Sequence, residues 1–212
     1  MLRFRPAVFG LALAVLPAAA FAVETPGDLS FTVLRNGEPV GTHVVRFRPE
    51  ANGLDVAIDT NVVVKIAMIP VYRFEHHGHE TWRADHLETL ESKTNDDGTH
   101  HTLAAHAAPG GLEVVGDGST SRLPAGVVPA SLWNRATVAQ ASLMNTLDGH
   151  GMTVKITDLG PETVAVHGVA RPAHHYAMAG DLARELWYDD AGTLVQVRFK
   201  AKDDSDIRYV LN

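Results

Sequence analysis

From residue 29 the chain alternates. Leu29, Phe31 and Val33 share one parity, and Ser30 and Thr32 take the other. Successive side chains of a strand point to opposite faces, so this period of two is that of a half-buried strand and not of a helix. Asn36-Gly37 follows, a pair suited to the two left-handed positions of a tight hairpin turn. The return strand puts Val45 and Phe47 on one face and Arg46 and Arg48 on the other. A third strand runs from Leu54 through Val56, Ile58, Thr60, Val62 and Val64, interleaved with Asp55, Asp59, Asn61 and Lys65. Pro70 interrupts the pattern before a strand around 71–82, and 87–94 and 99–106 flank the turn Asn95-Asp96-Asp97-Gly98. Near the end, Val195, Val197, Phe199 and Ala201 alternate with polar residues, and the chain returns through Ile207, Tyr209 and Leu211.

Two stretches depart from alternation. Residues 107–129 are rich in Gly and Pro and predict a loop region with one short strand, 112–115. Residues 131–147 predict a helix, since Leu132, Val138, Leu143 and Leu147 are roughly helix-spaced and Asp148-Gly149 ends the run. The expected fold class is therefore all-β, an antiparallel meander with one or two short helices. A sheet of this size buries its apolar face by curling or doubling, so a curved half-barrel or barrel is expected, with a β-sandwich as the alternative. Glu80-x-Trp82, Leu87-x-x-Leu90 and Asp96-Asp97 recur as Glu185-x-Trp187, Leu194-x-x-Val197 and Asp203-Asp204. This is either a repeated hairpin unit or the ordinary look of strand, turn and strand.

Arg3 and Arg5, the apolar run 8–16 and the small-x-small Ala20-Phe21-Ala22 read as a secretory signal, residues 1–22, cleaved after Ala22. The remaining 23–212 suffice for one domain with a full core. The apolar core of the signal is too short for a membrane-spanning helix of roughly 20 residues, and no later stretch qualifies, so none is expected in the mature chain. The expected location is the periplasm. Loss of Arg3 and Arg5 leaves 16 basic against 25 acidic residues with no basic run, which excludes nucleic acid as a default partner. Cysteine is absent, so disulfides, a thiol nucleophile and a cysteine-ligated metal are excluded.

The segment "RFEHHGHETW", 73–82, concentrates the candidate chemistry. Parity divides it. Tyr72, Phe74, His76, Gly78, Glu80 and Trp82 face one way, and Arg73, Glu75, His77, His79 and Thr81 the other. On the outer face, His77-x-His79 projects two imidazoles about 7 Å apart, able to share a zinc ion. Further ligands would have to come from Glu75 or from His100, His101 or His106 on a neighbouring strand. A solvated strand face is the simpler reading, and no cofactor is expected. On the inner face, His76 and Glu80 stand among Tyr72, Phe74 and Trp82, and His43 shares the parity of Val45 and Phe47. These six, His43, Tyr72, Phe74, His76, Glu80 and Trp82, are the candidate ligand-binding set: polar groups for a head and aromatic walls for an apolar tail. They are equally able to satisfy one another. No nucleophile elbow, H-E-x-x-H, phosphate loop or dinucleotide fingerprint is present, so no catalytic residues are assigned. Asp203-Asp204-Ser205-Asp206 misses the EF-hand spacing and fits a turn.

The stretches "VLRNGEPVGTHVVRF", "IPVYRFEHHGHETW", "LESKTNDDG" and "PASLW" together resemble an uncharacterised family of exported bacterial proteins, one of the domains of unknown function. The resemblance covers roughly 29–211 and implies no catalytic residue or cofactor. "ELWYDDAGTLVQVRFKAKDDSDIRYVL" is similar, more loosely, to the periplasmic lipoprotein-carrier and lipid-carrier half-barrels (LolA-like). That likeness implies a curved sheet lined by apolar side chains, with helices closing its open side. Three functions are thus expected in order: a carrier for an apolar or amphipathic ligand such as a lipid or acyl chain, an envelope structural or protein-interaction domain, and a histidine-based metalloenzyme or hydrolase.

Overall fold

The structure, a computed structural model, describes residues 27–166 and 168–212. The expected signal, 1–22, lies outside the described residues. Fifteen strands follow one another: β1 (Leu29–Arg35), β2 (Glu38–Glu50), β3 (Gly53–Ile66), β4 (Ile69–Arg83), β5 (His86–Asp96), β6 (Thr99–Ala108), β7 (Gly111–Gly116), β8 (Ser119–Pro124), β9 (Val128–Pro129), β10 (Ser142–Met144), β11 (Gly151–Val166), β12 (Val169–Gly180), β13 (Arg184–Tyr188), β14 (Leu194–Lys200) and β15 (Asp206–Leu211). Among the described residues the helical content is one 3-10 turn, Arg135–Ala139.

All fifteen form one sheet in the order β8-β7-β6-β5-β4-β3-β2-β1-β15-β14-β13-β12-β11-β10-β9. Almost every strand pairs with its sequence neighbours, and β1 with β15 joins the two ends of the chain. The order is broken only between β8 and β9, so the sheet is open. Neither a closed barrel nor a sandwich forms, and the curved open meander is the form of the expected architecture that stands.

Turn chemistry explains the tightness of the meander. Asn36-Gly37, Asp97-Gly98 and Asp117-Gly118 take φ pairs of 50 and 88, 51 and 93, and 48 and 79 degrees, the left-handed pairs of two-residue hairpins. Ala67-Met68 and Ala84-Asp85 make the same turn without glycine. The Gly/Pro-rich stretch holds more strand than expected, since Asp117-Gly118 folds β7 back on β8. Pro70 does not end a strand. It lies inside β4 at a register shift opposite Val64 and Lys65, where a missing N–H is tolerated.

The helix expected over 131–147 does not form. Pro129 is held in β9, Leu132 takes φ of 65 degrees, and Asn134 caps a single 3-10 turn by accepting from the Ala136 N–H. Ser142–Met144 then pairs antiparallel with β11 and parallel with β9. Leu143 and Met144 are both fully buried although they point to opposite sides, because this segment lies inside the curl with protein on each face. No helix stripe could satisfy that environment.

The segment 125–150 therefore fills the concave side of the sheet. Tyr188 Oη donates to Leu132 O at 2.7 Å, and Ser92 Oγ donates to Thr146 O at 2.6 Å. Gly149, at φ of 78 degrees, tucks against Val114 and Leu103, where a Cβ would lie 2.3 and 2.6 Å from their side chains. The two ends of the sheet thus meet by packing and not by a ladder. The principal core runs through Phe31, Val45, Trp82, Leu90, Leu143, Leu186 and Tyr188, and Val33, Val62 and Val64 form a smaller cluster on the same sheet.

Candidate functional site

A cavity of about 270 Å³ remains between the sheet and the segment that fills it. One wall is a row of directly paired residues: His43 of β2, Thr60 of β3, His76 of β4 and Thr94 of β5. Paired residues of an antiparallel sheet project to the same face, so the four side chains stand side by side. His43 Nδ1 lies 2.7 Å from Thr60 Oγ1, and His76 Nδ1 lies 2.8 Å from Thr94 Oγ1. Each imidazole is thus anchored by the hydroxyl one strand on, and His43, Thr60 and His76 line the cavity.

Burial pushes both histidines down to about 4, so both are neutral at pH 7. The ring of His76 stacks on Phe74 at 6.4 Å and reaches back over Gly78. A Cβ at Gly78 would come within 3.1 Å of His76 Nε2, so glycine there gives the ring its space. His43 packs between Phe31 and Tyr209, with ring centroids at 5.6 and 5.3 Å. The other walls are mainly apolar: Ile58, Met152, Leu194, Val197 and Phe199 from the sheet, Leu182 from the β12–β13 connection, and Leu132 and Leu147 from the inner segment. Arg184 of β13 also lines the cavity, its guanidinium carbon 3.7 Å from the Phe199 ring centroid.

Of the six residues expected to bind a ligand, His43, Phe74 and His76 come together on this cavity. Tyr72 lies further along β4 toward its exposed end and donates to Asp96 at 2.7 Å. Glu80 and Trp82 lie the other way, inside the core. There Trp82 Nε1 at 2.8 Å and Trp133 Nε1 at 3.0 Å both donate to Glu80 Oε2, and the two indoles meet edge to face. Burial raises the Glu80 carboxyl pKa against the pull of Ser131 and both indoles. The unit pins Trp133, and with it the inner segment, onto β4. The second Glu-x-Trp does not repeat this arrangement, since Trp187 donates to Glu162 and not to Glu185.

The outer-face histidines are exposed. His77 Nδ1 pairs with Asp59 at 2.6 Å. His101 pairs with Asp117 and His106 with Glu113, so two of the side chains expected to complete a zinc site are bonded to carboxylates. Among the described residues no three His, Asp or Glu side chains converge to hold a metal ion.

Sequence reasoning did not reach Arg184, Phe199, Tyr209 or the two threonines. Parity places Thr60 and Thr94 on the inner face, but register is needed to set them beside the histidines. Arg184 is hidden because Leu186, Trp187 and Tyr188 are all buried, which leaves β13 with no wet face to read.

No curated protein matches the chain. The looser likeness to lipid carriers therefore gains no support, and among the described residues no helix closes the open side of this sheet. The family model of a domain of unknown function (DUF6134) matches residues 31–212, and the chain belongs to that family.

Proposed function

We propose that this DUF6134 chain is a binding module for a small amphipathic ligand, working in the periplasm after export. The observation that carries the reading is the cavity, whose mainly apolar walls are interrupted by a row of neutral, hydroxyl-anchored imidazoles. A side-chain core needs no such row, because a buried polar group costs on the order of 1–3 kcal/mol unless it is partnered. Ligand pockets have this composition: mostly apolar lining with a few placed polar groups. The volume is near the lower end of the usual range, which favours a short chain over a whole phospholipid. Export rests on the signal pattern of residues 1–22.

Methyl-resolved NMR during titration with octan-1-ol tests the reading. Shifts are expected at Leu147, Met152, Leu182, Leu194 and Val197, while the exposed Val115 stays still. Shifts scattered over exposed methyls, with the cavity set unmoved, would count against a binding cavity.

A further inference from the structure

Resting on that reading, we propose that the ligand is a carboxylate with a short alkyl chain, its acid group seated on the guanidinium of Arg184. Arg184 Nη1 donates to Ala183 O at 2.7 Å, and the guanidinium carbon sits over the Phe199 ring. Among the described residues no Asp, Glu or Lys lines the cavity, and Arg184 carries the one fixed charge there. Neighbouring arginines are treated differently. Arg198 pairs with Asp206 and Glu185, Arg208 with Asp206, and Arg35 with Asp203. Among the described residues no carboxylate comes within ion-pairing distance of Arg184, in a chain with 25 acidic residues to 18 basic ones.

Burial opposes the charge on Arg184, and among the described residues no carboxylate stands close enough to offset it. A guanidinium keeps its proton in proteins, so the group cannot escape the cost by neutralising. A partly desolvated cation is relieved by an anion, and the planar fork of donors matches the two oxygens of a carboxylate. The histidines complete the fit. When Thr60 and Thr94 donate to the Nδ1 atoms, each imidazole carries its proton on Nε2 and offers it without adding charge. One cation and two neutral donors suit a monoanion. Leu147, Met152, Leu182 and Leu194 leave apolar space for the tail.

Calorimetric titration of the whole chain with octanoate and with octan-1-ol at pH 7.5 decides the matter, since the two probes differ only in the head group. Octanoate is expected to bind at least ten-fold more tightly than octanol. Arg184→Gln should bring octanoate down to the level of octanol, and octanoate should shift the Arg184 Nε–Hε resonance of the parent. Octanol binding as tightly as octanoate to the parent overturns the anion site and leaves the cavity reading intact. If neither probe binds, both fall. The comparison on the parent chain stands even where the variant does not fold.

Discussion

His43 and His76 are imidazoles kept neutral by their position. In the unfolded chain each takes up a proton as the pH falls through about 6.5, and in the fold neither does so until about 4. Between those values the unfolded state holds more protons, so stability is full above 6.5 and drains away as the pH falls toward 4. The loss is at most about 3 kcal/mol per histidine. Glu80 has the opposite sign. Its raised folded pKa makes the native state hold a proton that the unfolded chain releases above 4.5, so its contribution is lost as the pH rises. Urea midpoints from pH 4 to 8 should show both limbs. Glu80→Gln, which can still accept from both indoles, should remove the loss at rising pH and keep the loss on acidification. A Glu80→Gln profile superimposed on the parent's, or a flat parent profile below pH 6.5, contradicts these assignments. At this scale the sequence was half legible. Parity alone sets His43, His76 and Phe74 on one face, but the hydroxyls that anchor the two imidazoles lie 17 and 18 residues away and follow from register.

Among the elements, turns decide what the pattern reveals. Asn36-Gly37 and Asp97-Gly98 announce their hairpins because their residues tolerate the left-handed region. Ala67-Met68 does not, yet both residues sit there, at φ of 46 and 71 degrees, at the end of the β3–β4 hairpin. The same tip exposes Ile66, Met68 and Ile69, with Met68 82% accessible. Replacing Ala67-Met68 by Asn-Gly should relieve the backbone cost and raise stability by about 1–2 kcal/mol, read as a higher urea midpoint at unchanged slope. An unchanged or lower midpoint would show that the turn carries no strain. The segment 131–147 is the converse case. Its loose helix spacing was overruled by burial on both sides, by Pro129 in β9 and by the docking of Trp133 on Glu80, none of which local periodicity contains.

For the whole molecule, alternation was enough to give an all-β meander, because nearly every strand has one buried and one wet face. It could not say that the sheet stays open between β8 and β9, nor that residues 125–150 fold inward to fill it, since both depend on how far fifteen strands curl. That inward segment walls off a cavity on the concave side of the sheet, and in the proposed function this cavity holds a ligand. Native mass spectrometry of the chain, purified without detergent from cells that export it, tests this most directly, beside a Leu182→Trp variant that fills the cavity. If the cavity holds a ligand, the parent carries an organic adduct that leaves on collisional activation and is missing from the variant. A bare parent mass, or an adduct retained equally by Leu182→Trp, would contradict it.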